Sequence, residues 1–166
     1  MKTYVITGAT GNTGLPIAEA LLDAGHQVRI IARRAERAAK LTEKGAILFA
    51  GDSKDAGLLA SAFEGVDAAY IMIPFDAQTP DYYQSQKSHV DAVVKAIQES
   101  RLRYAVTLSS IGAHMPEGNG VVQGLYYMEQ ALNAIEGLNV KHLRAGYFLE
   151  NTLMQAGTLK HMGIMG

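Results

Sequence analysis

The chain has 166 residues, is 48% hydrophobic, holds no cysteine and carries a formal net charge of −1. These values fit one globular domain with a real core and exclude disulfides, thiolate catalysis and cysteine-based zinc sites. Lys and Arg form no stripe, which argues against nucleic acid or an anionic membrane as the main partner.

Short apolar or β-branched runs recur along the chain: TYVIT (3–7), QVRIIA (27–32), AILFA (46–50), AAYIMI (68–73), YAVTLS (104–109) and NVKHLR (139–144). Runs so uniformly apolar suit strands covered on both faces. Helical patterns lie between them. Residues 12–24 carry Leu15, Ile17, Ala18, Leu21 and Leu22 and stop at Gly25, a suitable helix-ending residue. Before Arg101, the residues Val90, Val93, Val94 and Ile97 share one helical face. Residues 121–136 repeat the pattern with Val121, Leu125, Met128, Leu132 and Ile135, ending at Gly137. Strands alternating with helices predict an α/β fold: a doubly wound parallel sheet with helices on both faces, in one domain over residues 1–166. No apolar run approaches the roughly 20 residues of a membrane span, and the N-terminus has no signal-like apolar region, so a cytoplasmic location is expected.

The first run leads directly into TGATGNTG (7–14), whose Gly8, Gly11 and Gly14 precede a helix. The stretch could be only a tight turn. Its position favours a phosphate cradle, because a helix start presents free N–H groups and a positive dipole end to an anion. Gly8 would permit the turn, Gly11 the close approach of a pyrophosphate, and Gly14 close helix–strand packing. Thr10, Asn12 and Thr13 could add side-chain hydrogen bonds at the same lip.

A carboxylate after the second strand would select NAD through its ribose hydroxyls. Here Arg33 and Arg34 stand in that place, with Arg37 one turn later. Guanidiniums grip a phosphate bidentately, so NADP(H) is expected in preference to NAD(H). Asp52, after the third strand, either reaches the adenine amine or caps the next helix.

These stretches, with TLSSIGAH (107–114), GLYYMEQAL (124–132) and LRAGYFLENTL (143–153), resemble the NmrA-like branch of the atypical short-chain dehydrogenase/reductase superfamily. The resemblance implies an NADP(H)-binding Rossmann-like domain and a smaller C-terminal substrate lobe, in a group that holds both reductases and redox-sensing regulators. It places Ile73 and Pro74 along the nicotinamide ribose, and Tyr147, Phe148 and Asn151 in the substrate cleft.

The wider superfamily reduces carbonyls with a Ser, a Tyr and a Lys four residues after the Tyr. Ser109 and Tyr126 stand where the first two would be. Gln130 and Ala131 follow Tyr126 and Tyr127 at four residues, and neither can supply the lysine's charge. The NmrA-like pattern would also place His at Tyr126. Glu129 is expected to order the tyrosine hydroxyl from helical spacing, and His114 is a candidate substrate contact. The five histidines lack metal-ligand spacing such as HExxH, so no metal is expected.

The reading is therefore an NADPH-dependent oxidoreductase that passes hydride to a quinone-like, azo or carbonyl small-molecule acceptor. Its rival is an inactive NADP(H)-sensing module that binds a protein partner. The resemblance implies more chain after Asn151 than residues 152–166 supply, so an open cleft and self-association into a dimer are also expected.

Overall fold

Neighbouring residues on a strand point to opposite sides of the sheet, so an apolar strand must be covered twice. The computed structural model describes residues 1–75 and 79–164 and meets that demand with a three-layer arrangement. The strands are β1 (Thr3–Ile6), β2 (Gln27–Ala32), β3 (Ile47–Ala50), β4 (Ala68–Ile71), β5 (Tyr104–Ser110) and β6 (Asn139–Ala145). All pair in parallel, in the order β3-β2-β1-β4-β5-β6. The helices are α1 (Gly14–Asp23), α2 (Ala35–Glu43), α3 (Ala56–Phe63), α4 (Tyr82–Ser100), α5 (Gln123–Asn133) and α6 (Ala156–Met162).

The alternation of β1 shows the layering. Val5 joins a core with Leu59, Phe63, Val93, Ile97 and Met128, under α3, α4 and α5. Its neighbour Ile6 joins the opposite core with Ala18, Val28, Ile30 and Leu41, under α1 and α2. Each of these side chains is at most 3% exposed, and burying a Val, Leu, Ile, Phe or Met among them contributes roughly 1.5–3 kcal/mol.

Three local expectations need correction. The edge strands are not covered on both faces: Ile47 of β3 and Leu143 of β6 remain 42% and 53% exposed. The helix expected from residue 121 begins as a 3-10 turn (Gly120–Val122), and Val121 is exposed rather than part of the apolar seam. The first helix begins at Gly14, which leaves Asn12 and Thr13 in the loop before it.

The strand order reverses between β1 and β4, so the chain leaves the carboxyl ends of these neighbours in opposite directions. Such a switch point opens a crevice in α/β sheets. Thr7 closes its floor: its amide donates to the Tyr70 carbonyl, and its Oγ1 accepts from the Met72 amide at 2.8 Å.

Candidate cofactor and acceptor site

The glycine loop starts where β1 ends, directly over that crevice. Gly8 adopts φ +63°, a conformation that favours glycine, and a Cβ there would stand 2.6 Å from Met72 Cγ. Gly14 opens α1 against the loop itself: its Cβ would meet the Gly8 carbonyl carbon at 2.7 Å and Ala9 Cα at 2.9 Å. Gly11 is looser, with only the Gly8 carbonyl oxygen near, at 3.3 Å. No side chain caps α1 at Thr13; in its first turn the Leu15 amide donates to the Gly11 carbonyl and Pro16 has no N–H, so an anion there would meet the dipole end of the helix and the loop amides before it. A glycine-lined approach to an uncapped helix start fits a pyrophosphate. Thr10 and Asn12 are exposed at the lip, and Thr13 is half-buried.

Beyond β2, Arg33 and Arg34 are exposed, and Arg34 occupies the N-cap position of α2. Cations at a helix N-terminus oppose its dipole. Among the described residues neither guanidinium has an ion-pair partner, so an arriving phosphate would meet no competing acid. Lys54, after β3, adds to this cationic edge and donates to Ser85 Oγ at 3.2 Å. Buried His89 pairs through Nδ1 with Ser53 Oγ at 3.1 Å. Burial lowers the His89 pKa most, Lys54 adds to that, and Arg33 contributes from across the gap. Asp52 does not cap the next helix: its carboxylate accepts from the Lys54 amide, while Asp55 accepts from the Gly57 and Leu58 amides at the start of α3.

From the loop, a cavity of about 230 Å³ touches Asn12, Thr13, Met72, Leu108, Phe148, Glu150 and Asn151. Met72, Leu108, Phe148 and Asn151 also line a larger cavity of about 560 Å³ that reaches Ile73, Ser109, Ser110 and Leu125. The two together lead from the glycine loop to the end of β5. Pro74 is half-buried beside Ile73.

The other expected site residues divide. Phe148 and Asn151 line the larger cavity. Tyr147 is 65% exposed, His114 is exposed, and Tyr126 is half-buried on α5; none of these three is among its lining residues. Ser109 is at the wall, but its hydroxyl donates to Glu129 Oε1 at 2.5 Å. Ser110, next on the strand, has no hydrogen-bond partner for its hydroxyl among the described residues.

Glu129 does not serve Tyr126. It is fully buried and takes Arg144 Nε at 3.0 Å and Nη2 at 2.5 Å, besides Ser109. Burial is the largest influence on its pKa and pushes it up. Arg144, then Ser109, pull harder in sum and hold the carboxyl below its ordinary value. This bridge joins α5 to the ends of β5 and β6, beneath the strip that carries Phe148. The spacing of Ser109, Glu129 and Arg144 along the chain carries no motif that announces it.

The comparisons agree with this geometry. A family profile described as NAD(P)H-binding matches residues 8–160. An NAD(P)H azoreductase from Xenophilus azovorans is 24% identical over 96% of this chain and 53% of its own. A (4-alkanoyl-5-oxo-2,5-dihydrofuran-3-yl)methyl phosphate reductase from Streptomyces griseus is 29% identical over 97% and 53%. An NADPH-dependent quinone oxidoreductase from Escherichia coli, solved with NADPH, superposes with a TM-score of 0.80 at 25% identity, over 95% of this chain and 54% of that one. The chain thus spans about half the length of the relatives it matches. Among the described residues no helix is long and apolar enough to cross a membrane. From the profile's reach across residues 8–160 and the glycine-lined switch point, this chain belongs to the NAD(P)H-binding family, in keeping with the NmrA-like resemblance of its motifs.

Proposed function

We propose that the chain binds NADP(H), in preference to NAD(H), and serves a reductase that passes hydride to a neutral, flat organic acceptor such as a quinone; azo and carbonyl compounds are the neighbouring classes. The paired cavities carry this reading, because they run from the phosphate cradle to an apolar cleft at the end of β5. The acceptor classes echo the names of the azoreductase and the quinone oxidoreductase to which the chain is similar.

The glycine loop and the start of α1 would hold the pyrophosphate, Arg33 and Arg34 the 2′-phosphate, and Ile73 with Pro74 the wall beside the ribose. Bound there, the reduced nicotinamide supplies the hydride. Met72, Leu108 and Phe148 make the wall between cradle and cleft apolar, which limits competing water. Ser109 and Glu129 hold the end of β5 in place, and Ser110, Asn151, Tyr82 and Gln86 offer polar atoms within a mostly apolar lining. The direct test is NADPH oxidation against a panel of quinones and azo dyes. No oxidation of any of them by protein that binds NADPH would remove the reductase reading.

Cofactor choice has its own test. Charge-assisted hydrogen bonds are the strong ones, so Arg33→Ala/Arg34→Ala should weaken NADPH binding by at least roughly tenfold. NADH, which lacks the 2′-phosphate, should bind almost unchanged. Equal losses for both dinucleotides in titration calorimetry would move the phosphate site elsewhere.

A further inference from the structure

We propose that Tyr82 is the hydrogen-bond donor to an oxygen of the acceptor in this cleft, held in place by Gln86, which is itself seated on Gly124. The proposal rests on reading the larger cavity as the acceptor site, and it names the group that recognises the acceptor and the chemistry it selects.

Several tyrosines lie near the cleft, and their hydroxyls have different fates. The Tyr127 hydroxyl donates to Asp91 at 2.6 Å on the outer side of α4, with Lys87 over its ring. Tyr70 is 7% exposed and packs into the core under α1 and α2, with Thr13 beside its hydroxyl. Tyr126 does not line the cavity. Among the described residues, Tyr82 is the only tyrosine that does.

Its surroundings are built rather than incidental. Tyr82 is the first residue of α4, and Asp81 caps that helix by accepting from the Gln84 amide at 2.9 Å. Gln86, one turn on, is 3% exposed and donates through Nε2 to the Tyr82 hydroxyl at 3.1 Å. That amide occupies a lone pair of the phenol oxygen, so the phenol's own proton remains for another acceptor. Gln86 can lie there because α5 presents a glycine to it: a Cβ on Gly124 would stand 2.5 Å from both Gln86 Cβ and Cδ. Phe75 packs edge-on to the Tyr82 ring, 5.2 Å between centroids. Burial holds the phenol above its ordinary pKa, against the opposing pull of the Gln86 hydrogen bond, so it stays protonated and a donor at neutral pH.

The cavity also defines what it takes. No charged side chain is among its lining residues, and Met72, Ile73, Leu108, Leu125 and Phe148 make it mostly apolar. An anionic acceptor would lose its hydration there without compensation. A neutral aromatic ring bearing a carbonyl-type oxygen fits both the walls and the single phenol donor.

The test compares 1,4-naphthoquinone with naphthalene, which has the same ring system and no oxygen. Thiol addition to the quinone cannot confuse the result, because the chain has no cysteine. Binding to the intact 166-residue protein is followed by calorimetry for the wild type, Tyr82→Phe, Gln86→Leu and Gly124→Ala. Tyr82→Phe should weaken naphthoquinone about three- to tenfold, the range of one hydrogen bond, and leave naphthalene unchanged. Gln86→Leu and Gly124→Ala should weaken naphthoquinone in the same direction, since both misplace the phenol. Equal losses for the two ligands would reduce Tyr82 to a packing residue and overturn the proposal, as would no loss for either. A wild type that binds NADPH but not naphthoquinone would overturn it too, leaving the cofactor reading intact. Tyr82-dependent quinone binding without NADPH oxidation would support the proposal and remove the reductase reading instead.

Discussion

Gly11→Val should abolish saturable NADPH binding while the protein stays folded, whereas Gly14→Ala should damage the fold itself. The two glycines stand three residues apart, Gly11 in the loop and Gly14 at the start of α1, and the difference lies in what a side chain would meet. At Gly11 a Cβ touches only the Gly8 carbonyl oxygen, at 3.3 Å, and otherwise projects into open space. That open space is where a pyrophosphate would approach the backbone, so a β-branched side chain excludes the ligand without disturbing the core. At Gly14 the obstacle is backbone at 2.7 and 2.9 Å, and it can yield only if the end of β1 shifts relative to α1. Overpacking of this kind costs typically about 1–3 kcal/mol, and an obstacle made of backbone puts Gly14→Ala at the upper end, against a helix-propensity gain of about 1 kcal/mol. Urea denaturation and calorimetry on both variants separate the cases. A folded Gly11→Val protein that binds NADPH normally would show that the stretch is a turn and nothing more.

The fold was legible because its signals are local. Apolar runs, the Gly25 helix stop and the glycine loop each depend on a few consecutive residues; Gly25 directly follows the C-cap of α1 with φ 77°, whereas α5 ends at Asn133, before the expected stop at Gly137. The geometry of the glycine loop was legible for the same reason, since it is made of backbone. The acceptor side was not. Tyr126 and Tyr127 are adjacent on a helix, so their side chains diverge by about 100°, and sequence alone does not say which one, if either, reaches the cleft. Tyr82 and Gln86 belong to another helix, and Gly124 of α5, packed on Gln86, links them to the tyrosine-bearing helix. Glu129 was misassigned to a tyrosine one helical turn away because helical spacing is the contact that sequence makes visible. Its real partners come from β5 and β6, 20 and 15 residues distant along the chain.

Glu129→Gln should cost about 3 kcal/mol of stability at neutral pH, the low end of what breaking a buried ion pair costs. The carboxylate is fully buried and accepts three hydrogen bonds, one from Ser109 and two from Arg144. Glutamine keeps the shape but loses the charge and replaces one acceptor oxygen with a donor, which then faces a guanidinium that also donates. The low end applies because the Arg144 side chain is 44% exposed, so its abandoned charge can turn toward water. The pH dependence gives the sign. Arg144 and Ser109 hold the folded-state carboxyl below its ordinary value despite the opposing burial. The bridge's contribution is therefore fully present above the unfolded-state pKa of about 4.3, and is lost as pH falls through the lower folded-state value. Urea unfolding should show the wild type well ahead of Glu129→Gln at pH 7, with the gap closing as the solution is acidified through that window. Function should follow stability here, because the same bridge holds the ends of β5 and β6, where Ser110 and Phe148 border the cleft. Weaker naphthoquinone binding should accompany the loss, while NADPH remains anchored by a loop on the other side of the switch point. A variant as stable as the wild type at pH 7, or a gap that widens in acid, would mean that the bridge contributes nothing net to the folded state.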